Sequence, residues 1–186
     1  MKTALVVYAN GSEDLEVTAS ADVLTRGGVK VTRCAVTSDK GVEVTLAHGT
    51  KVVCDKNLLD CNDEYDVIII PGGLAGSENC RDSKELIAKL KQQQASGKTI
   101  AAICAAPGFV LNTHGFLQGG VKATCYPGCN DSTIEGLQSD GVVFDQKANI
   151  VTGKGPGFAV EFALKILEVL QGKSVRDKVA AGMLLS

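Results

Sequence analysis

Short β-branched runs alternate with longer stretches of helical apolar spacing along the whole chain, and no other feature constrains the fold as much. Residues 3–9 (TALVVYA) lack the polar alternation of a half-exposed strand and read as a strand buried on both faces. A helix is expected over 15–26, with Ser12 as its N-cap, Glu13 and Asp14 in its first turn and Gly27-Gly28 as its stop. The next strand is 29–36 (VKVTRCAV), and two strand-like pieces within 42–54 flank His48-Gly49 as a hairpin. Residues 65–70 (YDVIII) form a strand closed by Pro71-Gly72-Gly73. A helix over 83–95, a strand over 99–103 and a short helix over 105–113 follow. Further strands are expected over 121–124 and 149–152, and helices over 158–170 and 174–183.

Such a succession predicts an α/β fold, a largely parallel sheet with helices on both faces. No repeat, linker or low-complexity stretch interrupts it, so residues 1–186 read as one domain. Ligands of such sheets bind outside the carboxyl ends of the strands. The segments 11–14 (GSED), 71–73 (PGG) and 104–106 (CAA) all follow strands, and are expected on one rim.

Composition narrows the partners. The net charge is −2, Trp is absent and aromatics make up 4%, which argues against nucleic acid or an anionic membrane surface. No apolar run approaches the roughly 20 residues of a membrane span, and the N-terminus does not read as a signal peptide. Seven scattered cysteines in such a chain point to free thiols in a reducing compartment, the cytosol. The glycines form neither G-x-G-x-x-G nor a P-loop, so no nucleotide cofactor is expected.

Cys104 ends an apolar strand and is followed at once by Ala105, Ala106 and Pro107. A strand turning into a helix through one residue makes a tight elbow, which needs small neighbours and lifts the turning side chain above the sheet. The amides of the following helix are expected to favour thiolate. On the elbow pattern alone, Cys104 is either a small core residue or a nucleophile. Cys34 reads as core, and Cys54, Cys61 and Cys80 lie at element ends without local partners. Cys125 and Cys129 lack the further ligands a metal site needs, so none is expected; a disulfide between them, or a resolving role toward Cys104, stays open. No Cys-His-acid arrangement is evident. His114 closes the helix after Cys104, and His48 sits in the hairpin, away from the rim unless another subunit brings it there. Glu16, in the first turn of the first helix, is either a solvated acid or a protonated carboxyl beside the sulfur. The amides of Gly72, Gly73 and Ala105 could face an oxyanion, while Gly155-Pro156-Gly157 reads as a Pro turn before the last long helix.

Four segments together (ALVVYANGSEDLE, DVIIIPGG, AAICAAP and TGKGPGFAVEFALKILEVLQGK) resemble the ThiJ/PfpI superfamily, in the branch of the Parkinsonism-associated deglycase. The resemblance implies a flavodoxin-like α/β/α sandwich and a homodimer. It implies that Cys104 is the reactive nucleophile and Glu16 the protonated carboxyl beside it, with Gly73 and Ala105 lining the pocket. Arg26, His48 and Pro156 then fall at the dimer interface near the pocket. The family usually has Arg where this chain has His48, and often His where it has Tyr126, leaving Glu16 as the main proton-transfer group. The protease-like branch carries His where this chain has Ala105, so peptide hydrolysis is not expected. No His follows His114, which removes an amidotransferase reading.

Two functions follow from the resemblance. One is a cofactor-independent glyoxalase or deglycase acting on methylglyoxal, glyoxal and their early adducts with amines or thiols. The other is a redox-sensing stress protein or chaperone whose Cys104 oxidises to sulfinate.

Overall fold

The computed structural model describes residues 1–185. It opens with strand β1 (Thr3–Ala9), helix α1 (Asp14–Arg26) and strand β2 (Lys30–Val36). A hairpin of β3 (Glu43–Thr45) and β4 (Lys51–Val53), a two-residue β5 (Lys56–Asn57) and β6 (Val67–Ile70) come next. Helices α2 (Leu74–Asp82) and α3 (Lys84–Ala95) lead to β7 (Thr99–Ile103). Short strands β8 (Lys122–Ala123) and β9 (Gly136–Leu137) precede β10 (Val142–Asp145) and β11 (Ile150–Gly153), and α4 (Ala159–Gln171) and α5 (Lys173–Gly182) close the fold.

The central sheet runs β10-β11-β7-β6-β1-β2-β5, parallel except for the β10–β11 pair. β1 lies inside it, with Val6 level with Arg33 on β2 and Ile69 on β6. Its side chains alternate between two separate cores, as the two-residue period of a strand dictates. Leu5, Val7 and Ala9 face Leu86 and Leu90 of α3, while Ala4, Val6 and Tyr8 face Val17 and Leu24 of α1 and Phe162 of α4. The sheet is therefore a wall between two helical layers. No helix among the described residues is long and apolar enough to cross a membrane.

Three expectations change. Ser12 is not the cap of α1: it is fully buried and its hydroxyl accepts from the Ala9 amide at 2.9 Å. Glu13 caps instead, its carboxylate accepting from the Glu16 amide at 2.9 Å. The helix after Cys104 shrinks to a six-residue π-helix, Pro107–Asn112. The hairpin does not lie away from the rim. Gly11 donates to the Thr45 carbonyl at 2.9 Å and Ala47 to the Ser12 carbonyl at 2.8 Å, fastening β3–β4 over the start of α1.

Candidate active site

The loops after β1, β6 and β7 meet at the carboxyl edge of the sheet, where the Glu13 amide donates to the Gly72 carbonyl at 3.2 Å. Cys104 makes the elbow there, with a φ of 65°. That left-handed conformation costs a non-glycine residue about 1–2 kcal/mol. Three backbone contacts hold it. The Cys104 amide donates to the Gly153 carbonyl at 2.8 Å, and its own carbonyl accepts from the Tyr126 amide at 2.9 Å and the Cys125 thiol at 3.3 Å. The side chain does not stand clear of the sheet: Cys104 is only 8% exposed.

Glu16 is wholly buried beside this sulfur. Its Oε2 accepts from the Gly72 amide at 2.6 Å, and its carboxyl lies close enough to the Cys104 side chain for the two to influence each other's charge. The other oxygen, Oε1, is buried with no partner of standard geometry among the described residues. A bare buried carboxylate oxygen is costly, and a proton on the carboxyl lowers that cost by removing the charge. Gly72 makes the approach possible. A Cβ on it would lie 2.6 Å from Glu16 Oε2 and 2.9 Å from Cys104 Sγ, and would collide with Cys104 Cβ. Its amide serves Glu16 rather than an oxyanion, which corrects the sequence expectation. Gly73 turns the chain at φ 79°, and its amide and that of Ala105 favour the charged form of the sulfur.

The charges follow from this geometry. Burial, then the Gly72 hydrogen bond opposing it and the Glu13 charge, leave the Glu16 carboxyl raised to about 7. Burial and the Glu16 charge push the Cys104 thiol up to about 12, against the pull of the Gly73 and Ala105 amides. The low thiol expected from a helix end is thus overridden, and the six-residue turn is a weak dipole. The two groups titrate as a pair. When Glu16 carries the proton, its repulsion disappears and only burial opposes the thiolate.

The family model described as the DJ-1/PfpI family matches residues 2–169. The chain belongs to that family. Protein DJ-1 homolog A of Arabidopsis thaliana is 39% identical over 193 residues, covering 99% of this chain and 47% of that protein. The chain thus spans about half the length of that relative. Glutathione-independent glyoxalase DJR-1.2 of Caenorhabditis elegans is 38% identical over 176 residues, covering 92% of this chain and 90% of that protein. Among solved structures, oxidized Toxoplasma gondii DJ-1 superposes with a TM-score of 0.93 at 41% identity, covering all of both chains.

Around the DJ-1/PfpI elbow, Tyr126 is 47% exposed, and its ring lies against Gly155, next to the turn Pro156–Phe158. His48 Nδ1 lies 3.1 Å from Asp14 and 3.8 Å from Glu13, so the hairpin brings it to the rim within its own chain. These three are the one group among the described residues with several possible metal-ligand atoms within 4.8 Å of one another. Arg26 is elsewhere, at the far end of α1, paired with Asp22 at 2.7 Å. Twelve residues of helix put it roughly 18 Å from Asp14 in the same chain. His114 bonds the Arg81 carbonyl at 2.9 Å, away from the elbow. Cys125 and Cys129 are free thiols, with the Cys125 sulfur 3.3 Å from the Cys129 carbonyl. The role of Gly72 as a spacer is the feature that sequence reasoning missed; its only trace is the glycine pair after YDVIIIP.

Proposed function

We propose that this DJ-1/PfpI chain is a cofactor-independent glyoxalase and deglycase. One observation carries the reading: a wholly buried carboxyl, held by the Gly72 amide at 2.6 Å, lies beside a cysteine on a left-handed elbow, and its burial raises it to about 7. Such a carboxyl can give and take protons near neutral pH. The glyoxalase name of the Caenorhabditis relative points the same way.

With methylglyoxal, ionised Glu16 takes the Cys104 thiol proton as the sulfur adds to the aldehyde carbon, and hands it to the new alkoxide to give a hemithioacetal. Glu16, now ionised, removes the hydrogen from that carbon. The resulting enediol is reprotonated at the neighbouring carbon, leaving a lactate thioester on Cys104. Water cleaves the thioester, releasing lactate and the thiol. One carbon is oxidised and its neighbour reduced, so no cofactor is required. The Gly73 and Ala105 amides are the donors placed to meet the developing oxyanions. Glyoxal and early adducts of these dicarbonyls with amines or thiols fit the same steps.

Lactate formation from methylglyoxal by Cys104→Ser and Glu16→Gln is the test. Both substitutions are expected to lower it by about 10²–10⁴-fold or more; near-normal turnover in either would overturn the mechanism. A homodimer, with Arg26, His48 and Pro156 at the interface near the pocket, belongs to the same proposal and is read by sedimentation.

A second reading has its own support. The amides and carboxyl that surround the Cys104 sulfur would equally hold a sulfinate, and the Toxoplasma structure is of an oxidized protein. This stress-sensor reading predicts that limiting peroxide oxidises Cys104 well ahead of Cys54. Equal oxidation of the two would remove it.

A further inference from the structure

A second sulfur site lies on the other side of the sheet. Cys34, in the middle of β2, and Cys61, just after the turn Leu58–Asp60, belong to the core under α3, whereas Cys104 packs in the core under α1 and α4. Their sulfurs are 3.5 Å apart and hydrogen-bonded, and both residues are buried. They are 27 positions apart in the chain, so only the fold makes them neighbours.

The surroundings of Cys61 are unlike those of an inert core thiol. Lys89 donates to the Cys61 carbonyl at 2.6 Å and to the Asp63 carbonyl at 3.3 Å. Among the described residues it has no carboxylate partner in an ion pair. Its ammonium also sits 5.5 Å from the centre of the Tyr65 ring. The buried Tyr65 hydroxyl lacks a partner of standard geometry and lies beside the Cys61 sulfur. The Cys61 sulfur also lies 3.4 Å from the Asn57 carbonyl. The Cys34 side chain, the Tyr65 hydroxyl and the Lys89 charge favour thiolate at Cys61 against burial and lower it to about 7, while the Cys61 contact and burial raise Cys34. A cavity of about 40 Å³ is bounded by Asn62, Asp63, Tyr65 and Lys89, the neighbours of Cys61, although neither sulfur lines it.

We propose that Cys34 and Cys61 form a reversible intrachain disulfide when hydrogen peroxide reaches them, a second redox site separate from Cys104. The Cys61 sulfur attacks the peroxide, the O–O bond breaks, and the Cys61 proton leaves with the departing oxygen as water. The Cys34 sulfur then attacks the sulfenic sulfur; an S–S bond forms, the S–O bond breaks, and a second water carries off the Cys34 proton. Two thiols lose two electrons and one peroxide becomes two waters. The sulfurs must close from 3.5 Å to about 2.05 Å. Most of that movement falls to Cys61, since Cys34 is held in the sheet ladder and Cys61 follows a three-residue turn. A dithiol reverses the bond, whereas sulfinate at Cys104 resists such reversal.

Peptide mapping of the full chain tests this without any substitution. Reduced protein is titrated with hydrogen peroxide, alkylated and cut with trypsin without reduction. Cys34 then lies in peptide 34–40 and Cys61 in 57–81, which also holds Cys80. The expected product is a single chain whose two peptides are joined, two hydrogens lighter than their sum, with fragmentation placing the bond at Cys61 and dithiothreitol undoing it. Cys104→Ala is expected to form the same link. The proposal is overturned if Cys34 and Cys61 are still alkylated at a dose that fully oxidises Cys104. A bond to Cys80 or to a second chain overturns it too, as does sulfinate at Cys61 beside a free Cys34.

Discussion

At the end of β7, the Cys104 sulfur lies beside a carboxyl and two backbone amides on a left-handed elbow; between β2 and the turn at Leu58–Asp60, the Cys61 sulfur lies beside a second thiol and a phenol, with an ammonium on its own carbonyl. Both sulfurs are buried, so exposure does not separate them. Neighbours do. A carboxyl beside sulfur raises both groups and gives a pair that trades a proton, which suits moving hydrogens on a substrate. A thiol beside sulfur, with a cation nearby, gives one nucleophile and one resolving partner, which suits electron transfer to peroxide.

The largest effect expected on this contrast comes from Gly72→Ala. The added methyl forces Glu16 and Cys104 apart, and methylglyoxal turnover is expected to drop by about 10²-fold or more. Peptide mapping of the same variant should still find the Cys34–Cys61 link; loss of both together would mean that the sites are not independent. Next comes the pH dependence of stability. The Glu16 carboxyl is raised from 4.5 to about 7 in the folded chain, so folding favours its protonated form. Its contribution is complete below about pH 4.5 and is lost as pH rises through 7, about 3 kcal/mol in all. Urea unfolding at pH 5 and pH 8 should show this loss in the parent chain and not in Glu16→Gln; a parallel loss in both would assign it to other groups. A smaller effect is expected from Lys89→Met. Removing the cation is expected to slow disulfide formation at pH 7 by up to about tenfold and to leave turnover unchanged. An unchanged rate of linking would show that Lys89 does not tune Cys61. The smallest is Arg26→Ala. Its pair with Asp22 is half exposed on both sides, so stability should move by less than about 1 kcal/mol. A fall in turnover in this variant would place Arg26 beside the partner's pocket.

Much of the fold was legible because strands buried on both faces leave uninterrupted runs such as TALVVYA and YDVIII. What escaped was set by packing. α2 carries Gly76, Ser77 and Asn79, poor helix formers. Gly76 is needed there because a Cβ would come within 2.6 Å of Ser12. β10 is a half-exposed antiparallel edge strand with no strong pattern of its own. Cys104 could be located from its elbow, and Glu16 could be named through the family resemblance, but the raised thiol could not be foreseen. That depends on burial and on Gly72 holding the carboxyl against the sulfur. Cys61 reads in the sequence as a cysteine without a partner. Its partner comes from a strand 27 positions earlier, and no local spacing encodes that meeting.

The two-layer division described for β1 has a consequence for damage and repair. Cys104 and the Cys34–Cys61 pair lie in opposite cores, with close-packed Val and Ile side chains of the sheet between them. The sheet separates the two sulfur sites: a sulfenic acid formed on the elbow has no direct route to Cys34 or Cys61, and the thiol of their core that does approach it is Cys125, at the Cys104 carbonyl. Rescue of Cys104 must therefore arrive from the rim, either as a soluble thiol or from the Cys125 side, before a second oxidant makes the loss permanent.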